Sequence, residues 1–187
     1  MPKSLPALLI VDMINLFDFE DGRPLAKATL SIAATVRRLR DRFDTQGAPV
    51  IYANDNFTHW KGEFRDLVAR CAEASSESAA IASTLAPGND HYHILKPKHS
   101  AFLATALPVL LTKLKVRQLV ITGITVDSCI LATAQDAVSR EFELWIPSDA
   151  VAAATRSKKQ HALAVIGNSL DAVTSPTGKI QGLFPGA

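Results

Sequence analysis

The chain has 187 residues, of which 48% are hydrophobic and 20% are charged. These proportions are typical of a globular domain that buries its own core, so a disordered or fibrous protein is excluded. The 20 Lys and Arg residues are interspersed among 18 Asp and Glu residues, which gives a formal charge of +2 and no basic block. This pattern argues against nucleic acid as a partner. We therefore expect a single domain spanning residues 1–187.

The first residues, MPKSLPALLIVDM, predict a first strand rather than an export signal. Asp12 interrupts the apolar run, and no small-residue cleavage site is present. No apolar segment approaches the roughly 20 residues that are needed to cross a bilayer. The two cysteines, Cys71 and Cys129, have no spacing typical of a metal site or a disulfide framework. These observations predict a cytoplasmic protein without membrane contact.

Six short apolar runs, separated by stretches of helical periodicity, are typical of buried parallel strands in an α/β domain. The runs are ALLIVD (7–12), APVIYAN (48–54), YHILK (92–96), QLVITG (118–123), FELWIP (142–147) and DAVTS (171–175), the last having the weakest pattern. Helical spacing predicts helices over 24–47, 63–71, 106–116, 128–141 and 154–169. The Ala- and Ser-rich region 72–90 is interpreted as a cover for the site or a contact with a neighbouring subunit. Right-handed crossovers then give a parallel sheet with helices on both faces.

The carboxyl ends of the predicted strands are where ligands bind in open parallel sheets. The residues at these ends are Asp12, Asn54 and Asp55, Lys96, the segment from Gly123 onwards, and 147–149. An acid, a base and a thiol, Cys129, therefore follow three of the six strands. The sequence predicts a site at this edge of the sheet.

Each of these three side chains has a structural and a catalytic interpretation. Asp12 could cap the turn after the first strand, or act as a general base whose proton affinity is raised by burial. Lys96 could be solvated, or could stabilise negative charge. Cys129 could pack as a small apolar side chain, or could react as a thiolate whose pKa is lowered by the helix that begins beside it. Cys71, which follows a helix-like run, fits packing better.

The three residue types together favour the catalytic interpretation. A cysteine nucleophile needs a base for its proton, and a cation or oxyanion donors for the charge that develops. In the strand order 3-2-1-4-5-6 of doubly wound sheets, strands one and four are neighbours, which would bring Asp12 and Cys129 together. Lys96 would lie farther away in that order, so the residues alone leave its position open.

Three segments resemble the isochorismatase-like cysteine hydrolases, the superfamily that includes nicotinamidases and N-carbamoylsarcosine amidases. LLIVDMINLF resembles the opening strand with its catalytic aspartate, here Asp12. ILKPKHSAF is similar to the lysine segment, in which the first lysine, Lys96, is catalytic. VITGITVDSCILATAQDA resembles the nucleophile segment, with Cys129 as the nucleophile. The three segments occur in the family's order, and the resemblance covers nearly the whole chain.

The resemblance implies a three-layer, Rossmann-like fold with a six-stranded parallel sheet, in which the lysine strand lies next to the first strand. It also implies a cis peptide bond between Ile124 and Thr125, and an oxyanion hole formed by the backbone N–H groups of Thr125 and Cys129. Asp12 would take the thiol proton and later activate water, Lys96 would stabilise charge, and Cys129 would form a thioester with the acyl group.

One segment departs from the nicotinamidase pattern, in which an Asp-x-His pair after the second strand helps to bind a metal. In VIYANDNFTHW, Asp55 occupies the Asp position, but Phe57 occupies the His position. One carboxylate and the more distant His59 make a poor ligand set. We therefore expect no metal and no cofactor.

Residues on the loops at the predicted site end are candidates for substrate contact. They could instead pack beneath a lid. The candidates are Phe17, Asn54, Asp55, Phe57, Trp60 and Ile124.

Three functional hypotheses remain. The first is a metal-free cysteine hydrolase that cleaves a small amide or related C–N bond, with a small molecule as its partner and a homo-oligomer as its assembly. The second keeps the fold but hydrolyses a vinyl ether, as an isochorismatase does, relying on the acid more than on the thiol. The third is a non-catalytic binding or scaffold protein, which would need none of Asp12, Lys96 and Cys129.

Overall fold

A computed structural model describes residues 5–56 and 61–186. It contains five strands, β1 (Ala7–Val11), β2 (Val50–Asp55), β3 (Tyr92–Lys96), β4 (Gln118–Gly123) and β5 (Glu143–Trp145). All are parallel and lie in the order β3-β2-β1-β4-β5. The strand order reverses between β1 and β4, which is where ligands bind in sheets of this kind.

Six α-helices connect or follow the strands: α1 (Gly22–Thr45), α2 (Phe64–Ala72), α3 (Ser76–Thr84), α4 (Leu107–Lys113), α5 (Leu131–Val138) and α6 (Arg156–Ser169). A π-helical turn (Val126–Ile130) precedes α5, and a 3-10 turn (Thr177–Lys179) lies near the end. The predicted helices are confirmed with small shifts at their ends. The region 72–90 contains a helix, α3, which packs against α1 and α2. Within the described ranges, no helix is long and apolar enough to cross a membrane.

Alternate residues of the central strands face two separate apolar clusters. Leu8 and Ile10 of β1 pack with apolar residues of α1, α2 and α3. Leu9 and Val11 pack on the opposite face with residues of α4, α5 and α6. Since successive side chains of a strand point to opposite faces, a strand buried on both faces has to be apolar throughout. The predicted three-layer α/β/α arrangement is confirmed.

The predicted sixth strand is reduced to a single bridge. Val173 accepts the N–H of Ile146 at 2.8 Å and donates its own N–H to the carbonyl of Leu144 at 3.0 Å. It forms one parallel bridge with Trp145 and is part of no strand. Its strand neighbour β5 has only three residues, so there is little ladder to extend. The regular sheet therefore has five strands, one fewer than predicted.

The position of the lysine strand also differs from the expectation. β3 pairs with β2, and β2 lies between β3 and β1. The implied contact between the lysine strand and the first strand is therefore wrong, and the order follows that of doubly wound sheets. Lys96 pairs in register with Asp55, the last residue of β2. Its side chain can therefore reach across the end of β2, because nothing of that strand extends beyond this position.

Gly123 ends β4 where that strand closely approaches β1. Its φ is +113°, a backbone conformation that residues with a Cβ atom rarely adopt. A Cβ atom at this position would lie 2.0 Å from the carbonyl oxygen of Val11. Glycine therefore lets the chain after β4 turn directly beside the end of β1, where Asp12 follows.

Candidate active site

Asp12 is held rigidly at the end of β1. Its backbone has a φ of 52°, in the left-handed region that aspartate tolerates better than most residues. The Asp12 N–H donates to the carbonyl of Ala53 at 2.9 Å. Its Oδ1 accepts the N–H of Asp55 at 2.8 Å, and the residue is only 5% exposed. The carboxylate is therefore a buried acceptor with a fixed orientation, rather than a cap for the following turn.

The Lys96 ammonium group lies fully buried between the acid and the thiol. Its Nζ is 2.8 Å from Asp12 Oδ2 and 3.6 Å from Cys129 Sγ. It also donates to the carbonyl of Lys98 at 3.2 Å and lies 3.9 Å from Asp55 Oδ2. A buried ammonium group is stable only when it is paired and hydrogen-bonded, and this one is. The solvated interpretation of Lys96 is therefore wrong.

Cys129 lies in the π-helical turn that links β4 to α5. Its sulfur accepts a hydrogen bond from Lys96 Nζ, and the Asp12 carboxylate is close enough to influence the pKa of the thiol. The sulfur is part-buried, whereas Cys71 has no exposed surface and lies in the apolar core. The structure thus brings together the three residues that the strand-end argument selected, across three different strands.

The Asp12 carboxyl group and the Lys96 ammonium group both have shifted pKa values. Burial raises the pKa of Asp12 above its usual value, although the positive charge and hydrogen bond of Lys96 act in the opposite direction. Burial by itself would lower the pKa of Lys96, but the negative charge of Asp12, followed by those of Cys129 and Asp55, raises it overall. Lys96 therefore stays protonated, and Asp12 accepts a proton more readily than a solvated aspartate does.

The thiol of Cys129 is less acidic than the sequence suggested. Burial raises its pKa to about 12, and the negative charge of Asp12 adds to this effect. Lys96 opposes the shift without reversing it. The prediction of a lowered pKa is wrong, because desolvation and the adjacent carboxylate raise it. The resting site therefore holds a neutral thiol beside an Asp–Lys ion pair.

We expect the alkylation of Cys129 by iodoacetamide to report this raised pKa. Because only the thiolate reacts, the labelling rate should rise about tenfold per pH unit from pH 7 to pH 10, past the point near pH 8.5 where ordinary thiols level off. The rate is measured by intact mass spectrometry. The Cys129→Ala variant is the control and should remain unlabelled, since Cys71 is buried. A plateau below pH 9 would contradict the raised pKa.

The peptide bond between Ile124 and Thr125 is cis, as the resemblance implied. The amides around it are tied to neighbouring segments. Val126 donates its N–H to the carbonyl of Ala152 at 2.9 Å, and the Thr125 carbonyl accepts the N–H groups of Ser128 and Ile130, each at 3.1 Å. The backbone that carries Cys129 is therefore held in a defined position against the sheet.

The candidates for substrate contact lie in different environments. Among the candidates within the described residues, Asp55 is the one with an exposed side chain, which is 40% accessible. Phe17 and Ile124 are buried in the apolar core. Asn54 has no exposed surface, and its amide donates to the carbonyl of Ile14 at 2.7 Å. These last three side chains hold the surrounding loops in place, and Asp55 remains the accessible candidate.

Two further candidates, Phe57 and Trp60, lie outside the described residues, as does His59. Among residues 5–56 and 61–186, no three His, Cys, Asp or Glu side chains come together as a metal site would require. The absence of a metal stays a prediction.

A residue that the sequence reasoning missed lies beside the thiol. The Nδ1 atom of His99 is 3.1 Å from the hydroxyl oxygen of Ser128 and 3.8 Å from the sulfur of Cys129. His99 is exposed, and it follows Lys96 by three positions in the loop after β3. Its place in a loop at the site end of the sheet was the available signal, but the lysine alone was singled out there.

An open cavity of about 680 Å³ lies at the opposite end of the sheet and is separate from this chemistry. It is lined by residues before β2 and at the start of β3, including Arg40, Asp44 and His91. His91 accepts the N–H of Gly88 at 2.8 Å and pairs with Asp44 at 2.9 Å. These contacts join the start of β3 to α1, and no residue of the Asp12 site contributes to the cavity lining.

Comparisons with known proteins place the chain in one family. The model of the isochorismatase domain matches residues 6–176. The isochorismatase family protein YaaI of Bacillus subtilis is 40% identical over 170 residues, covering 91% of this chain and 93% of that protein. The N-carbamoylsarcosine amidase of Arthrobacter sp is 25% identical over 186 residues, covering 94% of this chain and 70% of that protein.

Solved structures agree with this placement. The N-carbamoylsarcosine amidase of Thermoplasma acidophilum superposes with a TM-score of 0.72 and is 27% identical, with 95% of this chain and 99% of that chain covered. An isochorismatase family protein of Desulfovibrio vulgaris superposes with a TM-score of 0.76 at 21% identity, covering 93% of this chain and 95% of that chain, which shows the same fold. The family match spans most of the chain and includes all three residues of the buried site. This protein is therefore a hydrolase of the isochorismatase family.

Proposed function

We propose that this protein hydrolyses a small amide or related C–N bond through a thioester acyl-enzyme. Cys129 is the nucleophile, Asp12 the base and Lys96 the charge stabiliser. Each step has a group of this chain to perform it, so the proposal includes no metal and no cofactor.

The contact between the buried ammonium group and both other groups carries this proposal. Lys96 Nζ lies 2.8 Å from the Asp12 carboxylate and 3.6 Å from the Cys129 sulfur, and the lysine has no exposed surface. A scaffold gains nothing from such a group, because burying an ion pair is often no better for stability than apolar packing. A nucleophilic thiol, by contrast, needs a proton acceptor and a cation in these positions.

The acylation step follows from these contacts. Asp12 takes the thiol proton as the sulfur bonds to the carbonyl carbon of the substrate. The carbonyl electron pair moves to its oxygen, which becomes negatively charged. When the tetrahedral intermediate collapses, the C–N bond breaks and Asp12 gives the proton to the departing nitrogen. The products of this step are free ammonia or an amine, and an acyl group bound to Cys129.

Backbone N–H groups of Thr125 and Cys129 are our proposed oxyanion hole. The hydrogen bonds of Val126, Ser128 and Ile130 support this proposal, because they hold the turn that carries both amides and the sulfur. Rigid donors of this kind act where charge develops and need no rearrangement during the reaction. Water then hydrolyses the thioester and releases the acid.

The names of relatives agree with C–N chemistry without identifying the substrate. Two N-carbamoylsarcosine amidases are among the similar proteins. A probable inactive nicotinamidase of Arabidopsis thaliana is also among the similar proteins, at 31% identity over 160 residues. We propose a small-molecule substrate contacted by Asp55, Phe57 and Trp60, and a homo-oligomeric assembly.

A panel of small primary amides and N-carbamoyl compounds tests the proposal. We expect at least one compound to release ammonia or an amine and to leave an acyl adduct on Cys129, detected by intact mass spectrometry after rapid acid quenching. Peptide mapping identifies the modified residue. Turnover of a vinyl ether without any adduct would instead favour the isochorismatase type of reaction. A complete absence of turnover and adducts across the panel would favour a non-catalytic protein.

A further inference from the structure

His99 contacts the reacting sulfur from the exposed side of the site. Its Nδ1 atom lies 3.8 Å from Cys129 Sγ, within the range of a weak hydrogen bond to sulfur. The imidazole is solvent-exposed, whereas Asp12 and Lys96 on the inner side are 5% and 0% exposed. Sulfur is therefore placed between a buried ion pair and an accessible imidazole.

The loop that carries His99 is anchored on both sides of it. Before it, the carbonyl of Lys98 accepts a hydrogen bond from Lys96 Nζ at 3.2 Å. After it, the Ser100 hydroxyl donates to Asp136 of α5 at 2.5 Å, and the N–H of Ala101 donates to the hydroxyl of Thr133 at 3.0 Å. An exposed side chain on such a loop has a defined position, which a proton-transfer group requires.

At the thioester stage the Asp12 carboxylate lies on the inner side of the sulfur and is only 5% exposed to solvent. Asp12 Oδ1 accepts the N–H of Asp55, and Asp12 Oδ2 is paired with the Lys96 ammonium group. The water that hydrolyses a thioester comes from solvent. His99 is the described titratable side chain that is both exposed and in contact with the sulfur.

We propose that His99 is a catalytic residue of the second half-reaction, in which it activates the water that cleaves the thioester. This inference rests on the proposed function and changes one part of it, because it gives water activation to His99 rather than to Asp12. Imidazole suits this role, because it is the side chain that enzymes use most often as a general acid–base group.

The step balances within the site. As the water oxygen bonds to the thioester carbon, one water proton passes to the unprotonated ring nitrogen of His99. The tetrahedral intermediate then collapses, the C–S bond breaks, and its electron pair stays on sulfur beside the Lys96 ammonium group. The imidazolium gives its proton to this thiolate, which regenerates the neutral thiol and the neutral imidazole and releases the carboxylic acid.

Ser128 is a positioning residue in this scheme. A hydroxyl group can accept a hydrogen bond from the protonated Nδ1 atom. Ser128 Oγ, 3.1 Å from Nδ1, therefore pairs with the imidazolium that forms when the ring takes the water proton. It holds the imidazole against the sulfur without itself transferring the proton.

Acetylation of Cys129 by p-nitrophenyl acetate separates the two half-reactions and does not depend on the natural substrate. Release of p-nitrophenol measures acylation, and loss of the acetyl adduct in intact mass spectra measures deacylation. We expect His99→Asn, which keeps a polar atom near the Nδ1 position, to slow deacylation about 100-fold and to change acylation less than about threefold. His161→Asn, at an exposed position of α6, is the matched control and should behave as wild type.

A second variant distinguishes proton transfer from support of the loop. In His99→Ala, added imidazole should restore deacylation in proportion to its concentration, with a smaller effect on the wild type, whereas a lost structural contact would not be rescued. Ser128→Ala should slow deacylation to an intermediate degree. If His99→Asn deacylates at the wild-type rate, or if both half-reactions slow equally, the role of His99 is overturned. The proposed function is not affected by either result. A wild-type enzyme that forms no Cys129 adduct would overturn the proposed function as well.

Discussion

Replacement of Cys129 by alanine is expected to abolish hydrolysis while leaving the fold intact. The activity on the best compound of the amide panel should fall by a factor on the order of 10⁴ to 10⁶, because the covalent route loses its nucleophile. The side chain is only part-buried at the edge of the apolar core, so its truncation removes little packing. Steady-state rates and circular dichroism measure the two effects.

The matched control for this variant is Cys71→Ala. Cys71 lies on the buried face of α2 and has no exposed surface, and burial raises the pKa of its thiol. Removing it should cost about 1 kcal/mol of stability through lost packing and leave the rate per folded molecule unchanged. Amide hydrolysis that survives in Cys129→Ala would refute a thioester mechanism and favour chemistry that depends on the acid.

Replacement of Lys96 by methionine is expected to reduce both stability and activity. The substitution keeps most of the side-chain volume but leaves the buried Asp12 carboxylate without its partner at 2.8 Å. Breaking a buried ion pair in this way costs about 3 to 5 kcal/mol in other proteins. Urea denaturation at neutral pH should show a loss of this size, and turnover should be lost because the thiolate no longer has a cation beside it.

The stability loss of Lys96→Met should depend on pH. Burial already raises the pKa of Asp12, and removing the lysine charge removes the main influence that lowers it. A carboxyl group whose pKa is higher in the folded state than in the unfolded state stabilises the fold least when pH exceeds both values. The loss should therefore be smallest in acid, where Asp12 is protonated in both states, and grow as pH rises through the folded-state pKa.

Two further variants test whether the ion pair is the cause. The double variant Asp12→Asn with Lys96→Met removes both charges and should recover much of the lost stability, without recovering activity. Lys98→Met, at an exposed position two residues later, should change stability by less than about 0.5 kcal/mol. A stability loss for Lys96→Met that is constant across pH would show that packing, rather than the unpaired carboxylate, is responsible.

Much of the architecture was predictable because it depends on local patterns. The strands β1 and β4 are continuous apolar runs, and burial on both faces of a central strand requires this composition. The helices follow from apolar residues at helical spacing. The prediction of a sixth strand was wrong because Val173 makes only one bridge. Pairing with a short partner strand is not encoded in the residues of the predicted strand, 171–175.

The residues of the candidate site were predictable from the sequence. Their arrangement and their proton affinities were less so. Lys96 ends a strand and Asp12 and Cys129 follow strands, so the rule that the carboxyl ends of parallel strands meet at one edge brought them together. The path by which Lys96 crosses the end of β2 depends on strand order, which comes from pairing between distant segments. His99 was missed because its contacts with Ser128 and Cys129 join residues about 30 positions apart.

By itself, the sequence determined the fold class and the three side chains of the candidate site, because apolar periodicity and residue type are local properties of the chain. Tertiary structure alone decided how acidic the thiol is. In GITVDSCILATA the helix that follows Cys129 suggested a lowered pKa, but burial and the Asp12 carboxylate from another strand raise it to about 12. Desolvation and charge act through space, so the ionisation of a buried group depends on neighbours that the local sequence does not contain.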